Sequence, residues 1–323
     1  MSGALQALFQ NWRTFAPLVV SRYLFVGGNN SGGQLGQSDT ISRSSPVQVG
    51  ALTTWNNLST SAAHSVSIKT DGTLWTWGSG TDGCLGSSDT ISRSSPVQVG
   101  ALTTWSKIVA GKMNHVLSIK TDGTLWAWGG GIFTNAGLGQ GNIISRSSPV
   151  QVGALTTWLN IAAGYYTGGA IKTDGTLWTW GNQSFAGALG DSGIDRSSPV
   201  QVGALTTWSK ISMGKYHSMA IKTDGTLWTW GYNINGQLGL GDTTNRSSPV
   251  QVGILTNWSS VSCGLTHNTA IKTDGTLWTW GLNSSGQLLL GDTISRSSPV
   301  QVGALTTWLN IAAGGSRIMA ISS

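Results

Sequence analysis

Four histidines are the residues of this sequence most suited to metal or acid-base chemistry, and all four occupy the same position of an internal repeat: His64, His115, His217 and His267. The remaining two repeats carry Thr167 and Arg317 at that position. A zinc site needs several donor atoms about 2.1 Å from one ion, and equivalent positions of different repeats usually lie farther apart. We therefore predict that these six residues form a structural ring around a central axis, hydrogen-bond neighbouring backbone and hold no metal.

Carboxylates and nucleophiles give no better candidate for catalysis. The chain contains no Glu, and five of its 12 Asp stand in one recurring Asp-Gly turn. Ser and Thr are abundant, but no Ser, His and Asp set departs from the repeat, whereas catalysis usually needs one asymmetric site. The sequence predicts a protein that is not an enzyme and that uses no cofactor.

Phosphate binding and nucleic-acid binding are disfavoured by the same repetition. Gly-rich segments such as residues 236–241 superficially resemble phosphate-binding loops, but no helix follows them. The net charge is +6, yet six of the nine Arg are one repeat position spread around the molecule. Nucleic-acid binding needs basic residues concentrated on one face, so we predict no nucleic-acid partner. Cys84 and Cys263 lie at different repeat positions, which gives no reason to pair them.

The repeat itself predicts the fold. The segment Arg-Ser-Ser-Pro-Val-Gln-Val-Gly occurs six times, in steps of 50, 53, 50, 50 and 50 residues, beginning at Arg43, Arg93, Arg146, Arg196, Arg246 and Arg296. Periods of this length are typical of propellers and related arrays, because one unit cannot bury its apolar faces without its neighbours.

Each unit contains four strand-like segments. In the unit 208–253 we predict strands at 208–213, 217–223, 226–230 and 249–252. The Asp-Gly pair between the second and third strands favours a tight hairpin turn. The third strand carries Leu227 on one face and Trp228 and Trp230 on the other, so both faces are apolar, as a blade between two other blades requires. The sequence predicts an all-β, six-bladed propeller of four-stranded antiparallel blades.

The two ends of the chain are predicted to complete one blade. The first-strand motif occurs six times, but the Asp-Gly-Thr-Leu-Trp hairpin occurs only five times. Residues 308–323 supply a first and a second strand, and residues 22–50 supply a third and a fourth. This 2+2 closure would remove the open sheet edges of the ring.

Three motifs of the repeat resemble those of the regulator of chromosome condensation family: Gly-x-x-His-x-x-Ala-Ile, Gly-Thr-Leu-Trp-Thr-Trp-Gly and Gly-Gln-Leu-Gly-x-Gly-Asp-Thr. The resemblance covers about residues 22–323 and implies a β-propeller in which the repeated His belongs to the frame. The best-known members have seven blades, whereas this chain supplies six. The resemblance also implies two alternative functions, nucleotide exchange on a small GTPase and inhibition of an enzyme.

We predict two parts of the chain, an arm at residues 1–21 and a single propeller domain at 22–323. The arm spaces apolar residues at helical intervals before Pro17, which favours a short amphipathic helix through Leu5, Leu8, Phe9, Trp12 and Phe15. Such a short helix is only marginally stable in isolation, so it would dock either on a partner or on its own propeller. A secretory signal and a membrane span are not predicted.

Variation among the repeats points to one face of the ring. The loops between first and second strands and between third and fourth strands emerge on the same side, which we call the variable face, and they differ among repeats. Aromatic and long side chains on such loops are common binding anchors. The candidate contact residues are Lys112, Met113, Ile132, Phe133, Tyr165, Tyr166, Phe185, Lys215, Tyr216 and Tyr232. The alternative is that these residues only cover the blade tops.

The combined interpretation is a non-enzymatic recognition protein that serves as a protein-binding platform in a larger assembly. A virion component fits these features, for example a capsid- or tail-attached decoration or host-binding protein, with a shell or tail protein as partner; a surface glycan is a further candidate ligand. Location in a virion is therefore favoured over the cytoplasm.

Overall fold

A computed structural model describes residues 22–130, 137–183, 187–191 and 193–323. The described chain contains 24 strands and one short 3₁₀ turn, at Thr81–Gly83. Among these residues, no helix is long and apolar enough to cross a bilayer. The predicted arm at residues 1–21 lies outside the described residues.

Five complete blades follow one another along the chain, each a four-stranded antiparallel sheet with its strands in sequence order. Blade 1 contains β3 (Trp55–Thr60), β4 (His64–Lys69), β5 (Leu74–Gly78) and β6 (Arg93–Gln98); blade 2 contains β7 (Trp105–Ala110), β8 (His115–Lys120), β9 (Leu125–Gly129) and β10 (Arg146–Gln151). Blade 3 contains β11 (Trp158–Ala163), β12 (Thr167–Lys172), β13 (Leu177–Gly181) and β14 (Arg196–Gln201). Blade 4 contains β15 (Trp208–Met213), β16 (His217–Lys222), β17 (Leu227–Gly231) and β18 (Arg246–Gln251); blade 5 contains β19 (Trp258–Cys263), β20 (His267–Lys272), β21 (Leu277–Gly281) and β22 (Arg296–Gln301).

The sixth blade is divided between the two ends of the described chain, as predicted. Its first and second strands are β23 (Trp308–Ala313) and β24 (Ile318–Ser322), and its third and fourth strands are β1 (Phe25–Gly28) and β2 (Arg43–Gln48). Each pair forms a two-stranded antiparallel sheet, and within the described residues no ladder joins β24 to β1. The predicted all-β propeller of four-stranded antiparallel blades is confirmed.

The fourth strand of each unit begins three residues earlier than the sequence pattern predicts. In blade 4 it begins at Arg246, which pairs with Gly231 across an irregular step in the ladder. Pro249 lies inside this strand and can do so because the fourth strand is the outer edge of the blade, where its missing N–H leaves no partner unpaired.

The hydrophobic core consists of layers between neighbouring blades. Between blades 4 and 5, Ile221, Leu227 and Val252 of one blade pack against Trp258 and Trp280 of the next. Equivalent clusters fill the spaces between the other consecutive complete blades, and between β1–β2 and blade 1. The apolar residues on both faces of the third strand are therefore buried by two different neighbours, as the sequence pattern predicted.

A buried indole joins each complete blade to the one before it. Five fully buried tryptophans donate Nε1–H to a backbone carbonyl of the preceding unit over 2.9–3.1 Å: Trp77, Trp128, Trp180, Trp230 and Trp280. At each of these junctions a glycine with positive φ lies over the ring, and a Cβ there would fall 2.7–3.0 Å from an indole atom: Gly36, Gly86, Gly139, Gly190 and Gly239. The indole thus fills a space that only a glycine in the preceding loop leaves open.

The repeated lysines contribute to the frame as well. In each complete blade a Lys Nζ lies 3.4–3.7 Å from the centroid of the first tryptophan of the third strand, as in the pair Lys222 and Trp228. Burial lowers the pKa of Lys69, Lys120, Lys222 and Lys272. These charges are held against aromatic faces.

Alanine substitutions at two glycines of blade 4 distinguish the cost of backbone strain from the cost of a clash between blades. Gly225 has φ +78° and an added Cβ would lie 2.0 Å from the Thr256 carbonyl oxygen, whereas Gly253 has φ +59° and open space around it. We expect Gly253→Ala to lower the free energy of unfolding by about 1 kcal/mol, from the left-handed backbone alone. Gly225→Ala should cost at least about 3 kcal/mol because the turn must also move away from the link to blade 5. Urea unfolding measures both, and equal losses would contradict this contact.

Candidate binding face

The structure places seven of the ten predicted contact residues on described loops of the variable face. Lys112 and Met113 lie between β7 and β8, Tyr165 and Tyr166 between β11 and β12, Lys215 and Tyr216 between β15 and β16, and Tyr232 directly after β17. The remaining predictions, Ile132, Phe133 and Phe185, lie outside the described residues, as do Leu5, Leu8, Phe9, Trp12 and Phe15 of the arm.

Backbone hydrogen bonds link the loops between first and second strands of successive blades. Lys112 N–H donates to the Gly164 carbonyl (2.9 Å), Tyr165 N–H donates to the Gly214 carbonyl (3.2 Å), and Lys215 N–H donates to the Leu265 carbonyl (3.1 Å). Each loop is therefore held by the next blade as well as by its own. The backbone positions that carry the side chains of these loops are therefore fixed around the axis.

Four tyrosines from blades 3 and 4 form one packed group, the tyrosine cluster: Tyr165, Tyr166, Tyr216 and Tyr232. The ring centroids of Tyr165 and Tyr166 lie 4.6 Å apart at 89°, and those of Tyr216 and Tyr232 lie 6.2 Å apart at 81°. Tyr165 and Tyr216 join the two pairs at 6.3 Å. All four side chains are half-buried, so each presents part of its ring to solvent.

Lys215 adds a positive charge to the tyrosine cluster. Its Nζ lies 5.2 Å from the centroid of Tyr165 and 4.9 Å from that of Tyr216. Burial raises the pKa of Tyr166 and Tyr216, so these phenols remain protonated at neutral pH. The cluster thus combines flat apolar surface, phenol groups that can donate and accept hydrogen bonds, and one ammonium group, which is a composition typical of protein-binding hot spots.

Lys112 follows the same glycine of the repeat as Lys215 does. Its side chain is half-buried, and burial lowers the pKa of its ammonium group. Besides burial, the charge of Lys112 contributes to lowering the pKa of His217 and His267 of blades 4 and 5.

The four histidines occupy buried positions in their blades, and hydrogen bonds involving the rings are resolved at three of them. His64 Nδ1 pairs with Ser61 Oγ at 2.7 Å, His217 Nε2 pairs with Asn268 Oδ1 of the next blade at 2.8 Å, and His267 Nε2 donates to the Arg317 carbonyl at 3.4 Å. The rings of His115, His217 and His267 lie over glycines of their own loops, where a Cβ would come within 2.2 Å. In the part of the chain that the structure describes, no group of three or more His, Cys, Asp or Glu could hold a metal ion.

The repeated arginines are neutralised within their own loops. Five of them form ion pairs of 2.5–2.8 Å with an aspartate four or five residues earlier, as Arg246 does with Asp242. Arg146 instead approaches the amide oxygen of Asn142 at 3.4 Å. The loops between third and fourth strands are therefore stabilised by these arginines.

Comparison with known proteins agrees with this architecture. The sequence matches the family model of the RCC1-like domain over residues 14–320. The chain belongs to the RCC1-like domain family. This confirms the resemblance that the repeat motifs indicated.

Solved structures of other proteins share the RCC1-like propeller. Human WBSCR16 superposes with a TM-score of 0.81 at 20% identity, covering 92% of this chain and 80% of that protein. Yeast RCC1 (Prp20), in its complex with Kap60, has a TM-score of 0.81 at 18% identity over 94% of this chain and 77% of its own. Prp20p of Saccharomyces cerevisiae, in a study of its binding to Gsp1p and histones, has a TM-score of 0.63 at 17% identity, with coverage of 94% and 91%. At these identities the likeness shows the shared fold. A search of curated protein sequences found no match.

One feature of the opposite face had no place in the sequence prediction. The link from each fourth strand to the next first strand exposes about half of one leucine side chain, and six leucines form a ring on that face: Leu52, Leu102, Leu155, Leu205, Leu255 and Leu305. The link Gly-Ala-Leu-Thr-Thr-Trp is nearly the same in all six repeats, but the pattern does not say which of its apolar residues the fold buries.

We predict that the buried histidines make this RCC1-like propeller less stable in acid. Burial lowers the pKa of His64 to about 3 and that of His115, His217 and His267 to about 4. Below pH 6.5 the unfolded chain takes up protons that the folded chain does not, so stability falls as the pH drops from about 6.5 to 4, by up to about 1.4 kcal/mol per pH unit for each histidine.

His267→Thr tests this because blade 3 already carries Thr167 at the equivalent position. We expect the variant to lose about one proton of uptake on acid unfolding, measured as a shallower dependence of unfolding free energy on pH. The same slope as in the parent chain would show that His267 is not held neutral.

Proposed function

We propose that this protein is a binding platform for another protein and that the tyrosine cluster is the centre of its contact surface. The observation that carries the proposal is the convergence of Tyr165, Tyr166, Tyr216 and Tyr232 with Lys215 on one part of the variable face. Such half-buried rings on a fixed backbone lose little side-chain entropy on binding, which is why aromatic residues are enriched at interface hot spots.

Other members of the fold support a protein partner. The yeast RCC1 (Prp20) structure is a complex with Kap60, and the Prp20p study names Gsp1p and histones as its binding partners. For this chain we propose a protein partner on the same grounds of fold together with the tyrosine cluster. A shell or tail protein of a virion and a small GTPase remain predictions about the identity of that protein, and a surface glycan remains the prediction of a further ligand.

Removing the cluster should abolish binding without disturbing the frame. We expect Tyr165→Ala, Tyr166→Ala and Tyr216→Ala together to weaken association at least about 100-fold, since single hot-spot truncations often cost about 2 kcal/mol or more. Blade 1 carries Ala62 and Ala63 at the positions of Tyr165 and Tyr166, so the frame tolerates alanine there.

The partner would be identified by cross-linking mass spectrometry through Lys215 in the native lysate or particle. Calorimetry would then measure the affinity of this partner for the parent protein and for the tyrosine variant. A matched control carries Leu155→Ala, Leu205→Ala and Leu255→Ala on the opposite face and should bind as the parent does. Loss of binding in this control with retention in the tyrosine variant would assign the contact to the leucine ring and overturn the proposal.

A further inference from the structure

A cavity of about 360 Å³ lies between blade 2 and blade 3. Its volume falls in the lower part of the range that small-molecule sites occupy, roughly 300–1,000 Å³. None of the described residues that line it is acidic, and none belongs to the tyrosine cluster. The lining includes Gln140, Arg146, Leu155, Trp158, Trp178 and Pro199.

Arg146 on the wall of this cavity is the repeated arginine that has no carboxylate partner among the described residues. In blade 1, Arg93 donates to the Asp89 carboxylate at 2.7 Å and to the Ile91 carbonyl at 3.0 Å. In blade 2, Asn142 stands in place of the aspartate, and the guanidinium of Arg146 makes a single hydrogen bond to described residues, a contact of 3.4 Å with the Asn142 amide oxygen. A guanidinium carries five N–H donors, so most of them have no protein acceptor here.

Blade 3 shows what pairs with such an arginine when its own loop supplies the partner. Asp191 directly follows Gly190, as Gln140 directly follows Gly139, and both glycines lie over a buried indole. Arg196 donates from Nε and Nη2 to the Asp191 carboxylate at 3.0 and 2.8 Å. A carboxylate beside this point of the repeat is therefore within reach of the arginine.

Gln140 does not replace that carboxylate in blade 2. Its Nε2 donates to the Ala127 carbonyl at 3.1 Å and to the Val150 carbonyl at 3.2 Å, so the amide group is held by its own sheet. Its Oε1 has no hydrogen-bond donor within the described structure, and hence Gln140 does not accept from Arg146. The negative charge that blade 3 supplies from its loop would have to come from a ligand in blade 2.

The remaining walls of the cavity favour an apolar or aromatic group next to that charge. The rings of Trp158 and Trp178 meet edge to face with their centroids 6.1 Å apart. Leu155 adds an aliphatic side chain that is 45% exposed. Aromatic walls with a small number of polar groups are typical of sites that bind small organic molecules.

Blade 4 shows that an unpaired arginine and an unfilled space do not follow from the repeat itself. Leu240 stands there at the position of Gln140 and packs against the core cluster between blades 4 and 5. Arg246 is paired with Asp242 at 2.6 Å. Blade 2 differs from blade 4 at both positions, because Gln140 and Asn142 supply neither the apolar side chain nor the carboxylate.

We propose that the cavity between blades 2 and 3 binds a small carboxylic acid with an apolar or aromatic body, whose carboxylate pairs with Arg146 as Asp191 pairs with Arg196. The body of the ligand lies against Trp158 and Trp178. A charge-assisted pair with the planar guanidinium orients the carboxylate, and burial of the apolar part contributes affinity. The site does not depend on the protein-binding proposal, since no residue of the tyrosine cluster lines the cavity.

Ligand-observed NMR titration of the full-length protein with 3-phenylpropanoate tests the class of ligand. A molecule of this size should bind with a Kd on the order of 1 mM. We expect 3-phenylpropan-1-ol, which keeps the ring and the chain but lacks the charge, to bind at least about tenfold more weakly. Failure of the acid to reach saturation, or equal affinities for the acid and the alcohol, would refute the proposal.

Asn142→Asp tests the role of Arg146, because it supplies the internal partner that the equivalent arginines of other repeats have. We expect this variant to bind 3-phenylpropanoate at least about tenfold more weakly than the parent, with a Tm no lower than that of the parent. The variant with Tyr165→Ala, Tyr166→Ala and Tyr216→Ala should bind the acid as the parent does, which distinguishes this site from the protein-binding face.

A charge-matched control combines Asn142→Asp with Asp242→Asn. It keeps the net charge of the parent and releases Arg246, but beside a space that Leu240 already fills. We expect this control to bind the acid as weakly as Asn142→Asp alone. Parent-like affinity in either variant would show that pairing with Arg146 in this cavity is not what holds the ligand.

Discussion

The contact between a buried indole and a glycine of the preceding loop is the interaction on which this propeller depends. The indole fills the space between two blades, and its N–H donates to a backbone carbonyl of the preceding unit. Because the glycine above Trp230 has no side chain, the loop can approach closely enough to cover the ring. The same contact at successive junctions explains how nearly identical units stack without a common central core.

A frame fixed in this way allows its loops to vary. The residues that close each blade, including the Asp-Gly turns, the lysines over tryptophan rings and the arginine–aspartate pairs, are engaged with their own or neighbouring blades. Changes in the loops between first and second strands do not disturb them. Tyr165, Tyr166 and Tyr216 therefore replace the residues of the other repeats at little cost to the fold, and a binding surface can arise on a symmetric scaffold from two adjacent units.

The sequence by itself determined the architecture, because periodic motifs, Asp-Gly turns and two apolar faces per strand leave few alternatives to stacked four-stranded blades. It also determined which end supplies which half of the sixth blade. The clustering of Tyr165, Tyr166, Tyr216 and Tyr232, the burial of Lys112 and the cross-blade partner of His217 were decided only by the tertiary structure. Strand patterns fix which face a residue occupies, but distances between loops of different blades depend on how the blades pack.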